Sequence, residues 1–225
     1  VDDNPTNRLV LKAMLNKPGV HCDFVEDGQQ AVEAITGGMA PDLVLMDCQM
    51  PVLDGYEATM QIRRWETEHA RPRLPIVALT ASAFEDDRKR CLEAGMDDFL
   101  AKPIVIEKLM AMLGHWLAGG SEMLEAAEAA PAPQAPQALI TTQEEGSPVF
   151  DEKTLLTQLG DDRELAGVII RSATEDIPGY FDQLEQAIAA GNWKAAERQT
   201  HTMKGLTAQI GGIKLSKRMK ELDDH

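Results

Sequence analysis

Apolar residues follow two different rhythms along the chain. From Val1 to about Leu117, short apolar runs alternate with stretches in which apolar residues recur three and four apart, the pattern of a parallel sheet with helices on both faces. The runs Val20–Val25, Leu43–Met46, Ile76–Thr80 and Asp98–Ala101 are rich in Val, Ile, Leu or Phe and are expected to be strands. Helices are expected around Leu9, Met14 and Leu15, around Tyr56, Met60 and Ile62, and around Leu109, Leu113 and Trp116. Gly19, Gly28 and Gly95 punctuate the turns.

Between Ala118 and Pro148 the residues become Gly, Ala, Glu, Pro and Gln, and Pro131, Pro133 and Pro136 forbid a continuous helix. We read 118–148 as a flexible linker whose coil would span about 30 Å. Glu122–Ala130 has the composition of a short helix but too little apolar surface for a core. Past Phe150 only the helical rhythm remains, with Leu165, Val168, Ile169, Ile177, Phe181, Leu184 and Ile188 spaced for one buried stripe. Gly191 ends that helix, a second runs from about Asn192 to Ile210, and Gly211-Gly212 closes it before a third near Lys214. The division is therefore an α/β unit at 1–117, a linker, and an all-α antiparallel helical bundle at 149–225.

Composition narrows the function. An apolar share of 44% supports a packed core in each unit, and a net charge of −15 argues against non-specific nucleic-acid binding. Cys22, Cys48 and Cys91 are scattered and odd in number, which fits packing residues of a reducing compartment. No apolar run reaches the length of a membrane span and no secretory signal is present, so the fragment is expected to be cytoplasmic, with no membrane contact of its own.

Ligands of open α/β sheets collect at the carboxyl ends of the strands. Asp2 and Asp3, Asp47, Thr80 and Lys102 all fall at or just after such ends. Clustered carboxylates repel one another, and a hard divalent cation with oxygen ligands relieves that repulsion. Asp27, Asp42 and Asp54, by contrast, read as helix caps or turn residues, with Asp54-Gly55 a turn.

The segments VDDN at 1–4, LVLMDCQMPVLDG at 43–55, ALTA at 78–81 and FLAKP at 99–103 resemble the four signature stretches of response-regulator receiver domains. The resemblance implies a flavodoxin-like doubly wound sheet of strand order 2-1-3-4-5. It also implies Asp47 as phosphoacceptor, with Mg²⁺ held by Asp2, Asp3, Asp47 and the main-chain carbonyl of Gln49. By the same resemblance Thr80 is the switch hydroxyl, Phe99 the aromatic that changes rotamer, Lys102 the cation on the phosphoryl group, and Pro103 follows a cis bond. Only Val1 precedes the acid pair, so the first strand looks truncated.

Of five histidines, His201 has a distinctive setting. On a helical wheel Met203, Leu206, Ile210 and Ala196 fall roughly 140° to 220° away from it, so His201 is expected to face solvent, flanked by Lys204 and Gly205. Imidazole is a competent nucleophile near neutral pH, lysine attracts phosphoryl oxygens, and a helical glycine clears room for a partner's site. The run HTMKGLTAQIGG at 201–212 resembles the signature of histidine-containing phosphotransfer domains. That resemblance implies His201 as a second phosphoacceptor, with Gly205 serving docking, and a bundle that continues beyond His225.

Together these resemblances imply an internal fragment of a hybrid sensor histidine kinase. A kinase histidine would pass a phosphoryl group to Asp47, then His201 would take it and hand it to a downstream receiver. No ATP-binding loop such as G-x-x-x-x-G-K is present, so kinase activity is an expectation about the parent, for which anchoring in the inner membrane is left open. The alternatives are a stand-alone relay protein, a receiver used only for docking, and a haloacid-dehalogenase-like phosphohydrolase. The last needs one residue between its two acids, whereas Asp2 and Asp3 are adjacent.

Overall fold

The computed structural model describes residues 1–16, 20–80, 85–117, 151–212 and 215. In chain order these form α1 (Pro5–Asn16), α2 (Gly28–Thr36), β1 (Val44–Asp47), α3 (Gly55–Glu68), β2 (Ile76–Thr80), α4 (Glu85–Ala94), β3 (Asp98–Ala101), α5 (Ile106–Leu117), α6 (Glu152–Gln158), α7 (Arg163–Ala189) and α8 (Trp193–Gln209). The linker at 118–148, the helix expected at Glu122–Ala130 and the third bundle helix near Lys214 lie outside the described residues.

Among the described residues the sheet is parallel, in the order β1-β2-β3. Val44 to Asp47 pair with Ile76 to Leu79, and Val77 to Thr80 with Asp98 to Ala101, so all three carboxyl ends share one edge. Helices cover both faces, which is why β2 is buried at every position and reads as an unbroken apolar run. The aspartates read as punctuation take that role: Asp27 caps α2 and Asp54 caps α3, each accepting from a backbone N–H three residues on. Gly55 does more than turn the chain. A Cβ there would collide with the Asp47 carbonyl, so glycine lets α3 start directly against the end of β1.

Three expectations fail. Val20–Val25 is not a strand, because the backbone that lies beside it, at Val1 and Asp2, is too short to form a ladder with it. The Asp2 N–H donates to the Val25 carbonyl at 3.2 Å, and Val1 bonds the other way, to β1. Tyr56 and Ile62 are buried on the core face of α3, with Ala58 and Thr59 beside them, but Met60 does not join it. In α7 the buried stripe is Ala166, Ile169, Ala173, Leu184 and Ala187, while Val168, Phe181 and Ile188 are exposed. Small residues carry that face because α7 packs closely on its neighbours, and a reading weighted toward large apolar residues passes over alanines.

The two units do not have separate cores. Val10, Leu11, Met14 and Leu15 of α1, with Leu109, Met112 and Leu113 of α5, are continuous with Leu155, Leu156 and Leu159 at α6 and with Ala166 and Ile169 of α7. A smaller cluster of Leu184, Ala187, Ala196 and Met203 joins α7 to α8. Ala190 to Asn192 turn the chain between them, with Gly191 at φ +65° and Asn192 capping α8, as the glycine and the periodicity imply.

Candidate functional site

Each strand end delivers one group to the shared edge. Asp47 ends β1, and the backbone after β3 brings Lys102 back toward it, with the Lys102 N–H donating to the Thr80 carbonyl at 2.7 Å and a cis bond between Lys102 and Pro103. The Lys102 ammonium donates to Asp47 Oδ2 at 2.7 Å and to Asp2 Oδ2 at 2.9 Å. Carboxylate oxygens of Asp2, Asp3 and Asp47 all lie within 4.8 Å of one another. Asp2 is further fixed by the Asn4 N–H and by the Asn7 amide, and the Gln49 N–H donates to Asp47.

Burial sets the electrostatics. It pushes the Asp47 carboxyl up to about 6, with Lys102 pulling down and Asp2 pushing up. It pushes Asp3 up to about 7, reinforced by the charges of Asp47 and Asp2. Burial opposes the charge on Lys102, but the two carboxylates outweigh it and hold the ammonium protonated well above its ordinary range. One lysine thus faces three acids, and the surplus negative charge fits a hard cation with oxygen ligands.

The pocket over these acids is lined by Asp3, Asn7, Asp47, Gln49 and Lys102 on one side and by His201, Thr202 and Gly205 on the other. Its volume is about 10 Å³, the space of one water. His201 is accordingly half-buried, not solvent-facing. The helical wheel placed it correctly opposite buried Met203 and Leu206. What the wheel could not contain was the acidic edge of the first unit, which covers that face. Lys204 is half-buried and is not among the lining residues; Thr202 takes a place there instead. Gly205 lies against Lys102, and a Cβ at that position would stand 3.8 Å from the lysine Cδ. Thr80 is buried at the end of β2, and Phe99 sits half-buried on β3 under the Arg88 guanidinium, which lies 5.9 Å from the ring centre.

Sequence reasoning passed over Asn7, Thr202 and Gln209. Gln209 falls within about 80° of His201 on the α8 wheel, so spacing could have found it, whereas Asn7 stands in the first turn of α1 with nothing in the sequence to mark what it faces. The Gln209 amide bonds both backbone groups of Ile104, at 2.8 and 3.3 Å.

A model of the response regulator receiver domain family matches residues 1–114, which is just over half of the chain. The chain belongs to this family. Its receiver is 47% identical over 116 residues to the sensor protein GacS of Pseudomonas syringae pv. syringae, a match covering 52% of the chain and 13% of that protein. The sensor histidine kinase GacS of Pseudomonas protegens is 33% identical over 214 residues, covering 94% of the chain and 22% of the relative, so the similarity runs through the second unit as well. The chain therefore spans less than a quarter of either relative. Among solved structures, the receiver domain of a sensor histidine kinase of Pseudomonas aeruginosa, described with a magnesium ion in its active-site cleft, is 47% identical. It covers 52% of this chain and 93% of that one, with a TM-score of 0.47. No described helix is long and apolar enough to cross a membrane.

Proposed function

We propose that the chain is a phosphorelay segment of a hybrid sensor histidine kinase: a receiver at 1–117, a linker at 118–148 and a histidine phosphotransfer unit at 149–225. The observation that carries this reading is the single pocket lined by both Asp47 and His201. Two unrelated stretches of sequence, each resembling a phosphoacceptor motif, contribute their expected acceptor residues to the lining of one pocket.

In the first step an Asp47 oxygen attacks the phosphorus of a donor kinase phosphohistidine, a P–O bond forms, the P–N bond breaks and the donor imidazole leaves. In the second, a ring nitrogen of His201 attacks the phosphorus on Asp47, and the Asp47 carboxylate leaves. Lys102, already on Asp47, stays with the phosphoryl oxygens throughout and neutralises part of their charge. Thr80 serves as the switch hydroxyl and Phe99 as the aromatic that follows it, while Lys204 stands beside His201 to attract the arriving group. Asp2, Asp3, Asp47 and the Gln49 carbonyl would hold Mg²⁺, whose charge supplies Lewis-acid stabilisation of the transferring oxygens. The partners are a kinase domain upstream and a second receiver downstream, all cytoplasmic, with any kinase activity residing in the parent.

The test uses acetyl phosphate, a reactive donor that needs no kinase. The chain is expected to acquire one base-labile acyl phosphate only when Mg²⁺ is supplied, and Asp47→Asn is expected to abolish it. Equal labelling of the variant would place the acceptor on another carboxylate and end this reading.

A further inference from the structure

Two nucleophilic side chains beside the expected acceptor take no part in the chemistry above. Cys48 directly follows Asp47 at the end of β1, Cys91 stands on α4, and their sulfurs lie 3.9 Å apart. Both residues are 3% exposed and sit in one apolar cluster with Met46, Tyr56, Ala78 and Ala94. Cys22, the third cysteine, packs against the other cluster, and its thiol turns to the Val20 carbonyl.

The pair is polarised as well as close. A hydrogen bond from Cys48 draws the Cys91 thiol below its ordinary value against the opposing effect of burial, and the Tyr56 hydroxyl adds to the lowering. The same hydrogen bond, with burial behind it, holds the Cys48 thiol well above its own. Arg90, whose guanidinium stands 4.7 Å from the Tyr56 ring centre, favours charge on Cys91, while Asp87 opposes it and Asp47 disfavours charge on Cys48. Cys91 is therefore the nucleophile and Cys48 the thiol that resolves it.

Access and consequence both turn on α4. Among its described side chains, Asp87 to Ala94, Cys91 and Ala94 alone are buried, so few apolar contacts hold this helix down and it opens readily to a molecule as small as a peroxide. The Cys48 backbone is held on both sides: its N–H donates to the Leu79 carbonyl at 3.2 Å, and its carbonyl accepts the Gly55 N–H at 3.1 Å. Closing the sulfurs from 3.9 Å to the roughly 2 Å of a disulfide thus draws α4 inward and leaves the backbone beside Asp47 in place.

We propose that Cys48 and Cys91 form a reversible disulfide when met by a peroxide, clamping α4 to the residue next to Asp47 and giving the receiver a redox input separate from phosphoryl transfer. The Cys91 thiolate attacks one peroxide oxygen, an S–O bond forms, the O–O bond breaks, and the leaving hydroxide takes up the proton that Cys91 released. The Cys48 sulfur then attacks the Cys91 sulfur, the S–S bond forms, the S–O bond breaks, and the hydroxyl leaves as water with the Cys48 proton. Two thiols are oxidised and one peroxide is reduced to two waters, and a dithiol reductant reverses the link. The disulfide stands or falls independently of transfer to His201.

The full chain is treated with hydrogen peroxide and read by intact mass, by alkylation of each thiol in denaturant, and by amide hydrogen exchange. The expected result is a monomer lighter by about 2 Da, with Cys48 and Cys91 blocked together and Cys22 still alkylated. Exchange of α4 amides is expected to slow about tenfold, and dithiothreitol to restore the starting mass and exchange. Cys91→Ser is expected to abolish the link, and Cys48→Ser to stop at a sulfenic acid on Cys91 that dimedone traps, with protection of β2 amides reporting that each variant is folded. Peroxide that leaves both thiols free, adds oxygen to them without joining them, or joins either to Cys22 or to a second chain would overturn the proposal. So would a linked protein whose α4 exchange is unchanged, or a Cys48→Ser variant with no trapped sulfenic acid on Cys91.

Discussion

At the residue scale, the site is a problem of excess negative charge held by one cation. Asp3 and Asp47 titrate above the ordinary carboxylate value of 3.8, at about 7 and about 6, so the folded chain binds protons that the unfolded chain has released. The sign follows: a carboxyl whose folded value is raised adds stability when protonated, and that contribution is lost as pH rises from about 4 through 7. In chelator, the protein is therefore expected to melt at lower temperature at pH 7.5 than at pH 5.5, and Asp3→Asn to shrink the difference. Added Mg²⁺ should recover the loss at pH 7.5; a melting temperature insensitive to pH, metal and Asp3→Asn would contradict this electrostatic account. Lys102→Ala removes the buried partner of two carboxylates and is expected to destabilise the fold by about 3 kcal/mol or more, read by urea unfolding. These acids were legible in the sequence because each sits at the end of an apolar run, where sheet chemistry collects. Asn7 was not singled out, since a helical asparagine carries no mark of what it faces.

At the element scale, α8 is built to present one side to the receiver. Gly205 is buried on that side, and its missing side chain lets the helix rest on Lys102. A methyl group there would sit at ordinary van der Waals distance, so Gly205→Ala is expected to keep docking and to raise helix stability by up to about 1 kcal/mol. Gly205→Leu would lift α8 away from the pocket and is expected to slow transfer about a hundredfold while circular dichroism stays unchanged. Equal rates for the two variants would show that the helix need not approach so closely. The limits of α8, its asparagine cap and its glycine stop were readable from periodicity and caps, which are local properties. The strand expected at Val20–Val25 was not there to be found, because a strand is a pairing and this run has almost nothing beside it. The alanine stripe of α7 was hidden for a related reason: what buries a small side chain is its neighbour, not its own hydrophobicity.

At the scale of the whole molecule, two units expected to be independent share a core that runs from α1 and α5 into α6 and α7. The shared core brings the two expected acceptors into one pocket, and sequence could not show it, since neither motif encodes its distance from the other. The central claim is that this arrangement serves transfer between them within a single chain. Phosphoryl label is placed on Asp47 with acetyl phosphate and Mg²⁺, the donor is removed, and the bond type is followed by its stability in acid and base at several protein dilutions. The account predicts that base-labile label on Asp47 gives way to acid-labile, base-stable label at a rate independent of concentration, and that His201→Gln leaves all of it on Asp47. Label that never becomes base-stable, or that does so undiminished in His201→Gln, would contradict it.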